Sequence, residues 1–137
     1  MKKFSVLVAF LCAVMISSTA LAADWVKIDT GDDSTVYVDK SSIMRGIQSK
    51  HYDFSRNDGC SAIVKIEFAM PDQTVTLINL VGFFEENGAK KYILLDSLDE
   101  NGKLTAQQAE NIEVEKADGT AGTIWPKVYD YVQKNLR

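Results

Sequence analysis

His51 is the only histidine of the chain, and Cys60 follows it nine positions later. A histidine beside a thiol or hydroxyl is the machinery of nucleophilic catalysis, provided a third group orients the ring. Here strand alternation groups His51 with Ser49 and Asp53, opposite Tyr52 and Phe54, and so turns the ring toward solvent. A metal centre would need several ligands of suitable type, which one histidine does not supply. Cys60 reads as a small buried residue, and as an unpaired thiol it is also the residue through which two chains could be bridged into a homodimer. Asp29-Thr30-Gly31 has the form of the aspartic-protease triplet, in which one carboxylate of a pair activates water. Asp32 follows where that motif has a small residue, so a hairpin turn is the better reading. Residues 97–108 carry the acidic spacing, the turn glycine (Gly102) and the apolar eighth position (Leu104) of a calcium loop. Ser97 and Gln108 stand at its first and twelfth positions, where carboxylates belong, and the stretch reads as a polar connecting turn. No catalytic, cofactor-binding or metal-binding residues are assigned, and no cofactor is expected.

The 137 residues open with two lysines, an apolar run from Phe4 to Ile16, and Ser17-Ser18-Thr19-Ala20-Leu21-Ala22. This is the pattern of a secretory signal peptide, residues 1–22, with Ala20 and Ala22 as the small residues before cleavage. The mature chain is expected to begin at Ala23, with Ala23 as last removed residue the neighbouring alternative. Cys12 is preceded by Phe10-Leu11, where a lipid-anchoring signal would have small residues. No later stretch approaches the ~20 apolar residues of a membrane helix, so no stable membrane insertion is expected. Residues 23–137 form one domain by length. They keep 13 of the 15 basic residues and all 19 acidic ones, a net charge of −6. That balance argues against nucleic acid and anionic lipid as partners.

The elements that must position these residues are mostly strands. The stretch from Ser61 to Asp96 holds three apolar runs broken by turn residues. Asn87-Gly88 suits a two-residue type I′ turn, which needs positive φ at both positions. The register that follows sets Glu85 against Lys90 as an ion pair, Phe83 against Tyr92 and Val81 against Leu94. Earlier, Trp25-Val26-Lys27-Ile28 and Thr35-Val36-Tyr37-Val38-Asp39 read as a hairpin. Arg45-Gly46 reads as a turn, residues 47–54 as a strand, and Arg56-Asn57-Asp58-Gly59 as a second turn. Thr105 with Gln108 fits a capping box, and Ile112 and Val114 suggest a brief edge strand. From residue 124 to 136, Ile124, Trp125, Val128, Tyr129, Tyr131, Val132 and Leu136 share one helical arc, with Lys127, Asp130, Gln133 and Lys134 opposite. Thr123 is the expected N-cap, and Lys134 and Arg137 favour the C-terminal end of the helix dipole. The expected fold is α+β: an antiparallel meander of about six strands with one amphipathic C-terminal helix packed on one face.

Ala23-Asp24-Trp25-Val26, Val36-Tyr37-Val38-Asp39 followed by Ser42-Ile43, Arg45-Gly46, and the closing Trp125 with Val128-Tyr129-Asp130-Tyr131-Val132 together resemble the bacterial surface-adhesin protein E family. The resemblance is best over residues 23–54 and 120–136. It implies an antiparallel sheet backed by a C-terminal helix, export in a Gram-negative-type cell and, for the adhesins that name the family, attachment to host extracellular-matrix proteins. It also implies a cysteine pair tying helix to sheet, but Val132 and Gln133 stand where the helix cysteine is expected. The function expected from this reading is that of an exported, non-catalytic binding module with a protein partner, at the cell surface or in the periplasm. The alternative is a periplasmic structural or inhibitory protein whose partner is another envelope protein.

Overall fold

A computed structural model describes residues 23–105, 114–119 and 123–136. The expected signal peptide with Cys12, the part of the expected capping box beyond Thr105, Ile112 and Arg137 lie outside the described residues. The elements are β1 (Trp25–Thr30), β2 (Ser34–Asp39), a 3-10 turn (Lys40–Ser42), β3 (Met44–Gln48), β4 (Ser55–Ala69), β5 (Thr74–Glu86), β6 (Ala89–Leu98), β7 (Val114–Lys116) and α1 (Ile124–Lys134). All strands belong to one antiparallel sheet in the order β1-β2-β4-β5-β6-β7, with β3 also paired to β4. The fold is thus the expected α+β sheet with a single C-terminal helix.

β5 and β6 form the organising hairpin. Asn87 (φ 54) and Gly88 (φ 79) both take the left-handed region that the tight turn demands. Glu85 pairs with Lys90, Phe83 with Tyr92 and Val81 with Leu94, the register predicted from the turn. The charges make other choices: Lys90 Nζ reaches Asp130 on α1 at 3.3 Å, and Lys91 reaches Glu86 at 2.9 Å.

β4 is long enough to carry two strands end to end on one edge, β3 against residues 55–61 and β2 against residues 64–68. The two expected turns, at Arg45-Gly46 and Arg56-Gly59, are instead facing irregularities of the β3–β4 ladder, which jumps from Arg45↔Cys60 to Ile47↔Arg56. Gly59 has φ 84, and a Cβ there would lie 2.5 Å from the Phe83 carbonyl, so only glycine fits.

α1 covers one sheet face. Its buried residues are Trp125, Val128, Tyr129 and Val132, the centre of the predicted arc. Trp125 stacks on Tyr92 with centroids 4.1 Å apart, and Tyr129 meets Phe83 edge-on at 5.8 Å. Beneath them lie Val36, Val38, Cys60, Ala62, Val64 and Val81. Each of these valines stabilises the fold by roughly 1.5–3 kcal/mol on burial. Thr123 precedes the helix but makes no side-chain capping hydrogen bond, because its own backbone is already helical (φ −72, ψ −18).

A second, smaller apolar cluster, Ile47, Phe84, Ile93 and Leu95, lies on the opposite face and is covered by Tyr52 and Phe54. Residues 49–54 are therefore a covering loop, where alternation alone suggests that the strand runs on to Phe54. The physical reason is Asp96, which is buried. Its carboxylate accepts from Ser49 Oγ (2.8 Å), Lys50 N (2.8 Å) and His51 N (3.0 Å), so these amides serve the latch instead of a ladder. A bulge makes this possible: Leu95 and Asp96 together stand opposite Leu80, between the pairs Val81↔Leu94 and Asn79↔Ser97.

Candidate functional site

The loop at residues 49–54 covers only part of the face opposite α1. The remainder is built by alternation: Val36, Val38 and Val64 point to the helix side, so Tyr37, Ile63, Lys65 and Glu67 point away from it. Tyr37 and Lys65 are direct cross-strand partners, and Trp25 joins them from the start of β1. The Lys65 ammonium lies 4.4 Å from the Trp25 ring centroid and 4.7 Å from that of Tyr37, a cation held between two π faces. A hydrogen bond to Glu67 is the main reason the Tyr37 phenol is pushed above its ordinary pKa.

Three depressions adjoin along this face. The first, about 290 Å³, runs from Asp32 and Asp33 in the β1–β2 turn to Tyr37 and Glu67. The second, about 310 Å³, continues from Glu67 past Trp25 and Lys65 to Glu100. The third, about 120 Å³, has apolar walls from Trp25, Ile63, Ile78 and Leu98, with Asp99 and Glu100 at its rim. Shared residues, Glu67 between the first two and Trp25, Ile78 and Glu100 between the last two, make them one shallow trough. Six carboxylates line it (Asp32, Asp33, Asp39, Glu67, Asp99, Glu100) against one cationic side chain, Lys65, and Ala23, the expected first residue of the mature chain, lines the third depression as well.

A larger cleft of about 700 Å³ lies beside the second half of α1, and its charged walls balance: Arg45, Lys90 and Lys134 against Asp58, Glu85 and Asp130. Several of these charges are already used, Lys90 by Asp130 and Asp58 by Arg56 at 2.8 Å.

The chemistry-bearing residues of the sequence are not brought together. His51 is on the loop that covers the minor cluster, its ring edge-on to Tyr52 at 4.7 Å, whereas Cys60 belongs to the core under α1. The sheet separates them, so they form no dyad. Ser49, grouped with His51 by alternation, is instead buried against Asp96. Burial pushes the Cys60 thiol up to about 11, outweighing the opposite pull of Arg45. Gln133 Nε2 donates to Cys60 Sγ at 3.3 Å, so the helix position discussed for a cysteine does face this sulfur.

Asp29, one residue before the end of β1, accepts from Lys127 of α1 at 2.9 Å, the contact that chiefly lowers its pKa. It ties sheet to helix. Asp99 accepts from Asn101 N (2.8 Å) and Lys103 N (2.9 Å), closing a turn sealed by the Leu98↔Leu104 bridge. Gln108, the twelfth position of the calcium-loop reading, lies outside the described residues. Among the described residues no three His, Cys, Asp or Glu side chains converge as a metal site requires. Asp39 accepts from Ser41 N (3.1 Å), Ser41 Oγ (2.6 Å) and Asp24 N (3.0 Å), fixing Asp24, just before β1, to the end of β2.

Sequence reasoning did not single out the trough. Its one sequence signal is the alternation of Ile63, Lys65 and Glu67 with Ala62, Val64 and Ile66, which sorts polar from core residues without naming the Trp25 and Tyr37 neighbours. Compared with protein families, with curated proteins and with solved structures, the chain matches none.

Proposed function

We propose that residues 23–137 act as an exported, non-catalytic protein-binding module of adhesin-like kind, attaching to host extracellular-matrix proteins through the sheet face that α1 leaves open. The observation that carries this reading is the trough itself. Trp25 and Tyr37 are half-buried beside Ile63 and a line of charges, the aromatic-plus-polar composition by which protein surfaces recognise one another. The high pKa of Cys60 and its separation from His51 support a role without covalent chemistry. The resemblance to the surface-adhesin protein E family points to the same class of partner.

The test is capture by the purified domain on immobilised extracellular-matrix proteins and, in parallel, from bacterial envelope extracts. Binding to matrix proteins that is lost in Trp25→Ala supports the adhesin reading. Selective recovery of an envelope protein favours the periplasmic alternative. Turnover of a small substrate by the wild type, abolished in His51→Ala/Cys60→Ser, refutes the non-catalytic reading.

A further inference from the structure

We propose that the trough is a docking groove for an extended peptide segment that alternates basic and apolar side chains. This rests on the reading of the chain as a protein-binding module and names the partner's chemistry. Charge complementarity selects the occupant. Six carboxylates line the trough; Asp39, Glu67 and Asp99 already accept hydrogen bonds within the chain, which leaves Asp32, Asp33 and Glu100 against the Lys65 ammonium, itself held between Trp25 and Tyr37, and the α-amino group of Ala23 in a chain that begins there. The cleft of about 700 Å³ beside α1 has balanced charge and offers no such preference. Carboxylates gathered along a concave surface with apolar walls focus a negative potential and attract cations more strongly than the same charges dispersed in water. Asp32, Asp33 and Glu100 are exposed, so they are free to meet lysine or arginine from a partner.

The apolar part of the occupant follows from the third depression, where Trp25, Ile63, Ile78 and Leu98 form walls for aliphatic groups. A free polyamine or a simple cation would satisfy the carboxylates and leave those walls wet. An extended segment turns successive side chains to opposite sides, so its apolar ones reach the sheet while the long stems of its lysines or arginines fold back to the exposed carboxylates.

The experiment uses a fluorescein-labelled decapeptide alternating lysine with valine, a second alternating glutamate with valine, and a third alternating lysine with serine. Anisotropy is read against residues 23–137 at low salt, with intrinsic tryptophan emission as a second readout. The lysine–valine peptide is expected to bind and to shift the emission, the glutamate peptide to bind at least 10-fold more weakly, and the lysine–serine peptide to lie between them. Asp32→Asn/Asp33→Asn/Glu100→Gln changes only exposed side chains and is expected to weaken the lysine–valine peptide about 10-fold. Raising salt from 50 to 500 mM is expected to weaken it further in the wild type than in that variant. Equal binding of lysine and glutamate peptides, no binding of either, or unchanged affinity in the neutralised variant overturns the proposal. Matrix-protein capture that survives in the neutralised variant would sink this groove assignment while leaving the broader binding-module reading intact.

Discussion

Truncating Asp96 tests whether a single carboxylate holds the loop at residues 49–54 over the minor core. Asp96 is 2% exposed, and three donors converge on it: Ser49 Oγ, Lys50 N and His51 N, at 2.8, 2.8 and 3.0 Å. Hydrogen bonds to a charged group contribute roughly 1.5–3 kcal/mol each, so three give an upper bound of about 9 kcal/mol. Lys50 and His51 are exposed, and water can take over part of what their amides lose. His51 N also retains Ser49 Oγ at 3.2 Å. Asp96→Ala should therefore destabilise by about 2–4 kcal/mol, a melting-temperature drop of roughly 8–20 °C for a domain of this size. Asp96→Asn keeps one acceptor oxygen but turns an amide donor toward another donor, and should lose about half as much. The assay is urea denaturation of both variants, with amide hydrogen exchange at Lys50, His51 and Tyr52. Exchange at those amides should accelerate while Ala62 and Val64, in the β4 core, keep their protection relative to global stability. A loss below about 0.5 kcal/mol in Asp96→Ala, or unchanged exchange in the loop, would show that apolar packing of Tyr52 and Phe54 alone seats it.

Val128→Asp places an unpaired charge in the core under α1 and should cost several kcal/mol, whereas Lys127→Asp exchanges a solvent-screened pair with Asp29 for two neighbouring carboxylates and should cost far less; equal losses in denaturant melts would refute the packing of α1. Cys60 holds its proton more tightly when folded, its pKa rising from 9.0 to about 11, so its contribution is complete below pH 9 and is lost as pH rises to about 11. The wild type should lose roughly 2–3 kcal/mol across that window from this thiol, and Cys60→Ala should show a correspondingly flatter stability profile in pH-dependent melts. N-terminal sequencing of the exported protein should begin at Ala23, and an uncleaved or acylated product would overturn the export reading.

The parts legible in the sequence are those governed by neighbours along the chain. Asn87-Gly88 demands positive φ, so it determined the turn and with it the Phe83–Tyr92 and Val81–Leu94 pairs. The spacing of Trp125, Val128, Tyr129 and Val132 likewise determined which side of α1 is buried, because helical period and hydrophobicity are local properties. What only the tertiary structure decided rests on contacts between distant positions. Asp96 captures the amides of Lys50 and His51 across more than forty residues, and that capture ends β3 at Gln48 despite an alternating pattern that runs on to Phe54. Asp29 meets Lys127, Cys60 meets Gln133, and Trp25 closes over Lys65 only because β1, β4 and α1 are brought together by the sheet order and the packing of the helix. The acidic trough belongs to the same class: each carboxylate is unremarked in its own segment, and their common field exists only once two strands and two turns share one face.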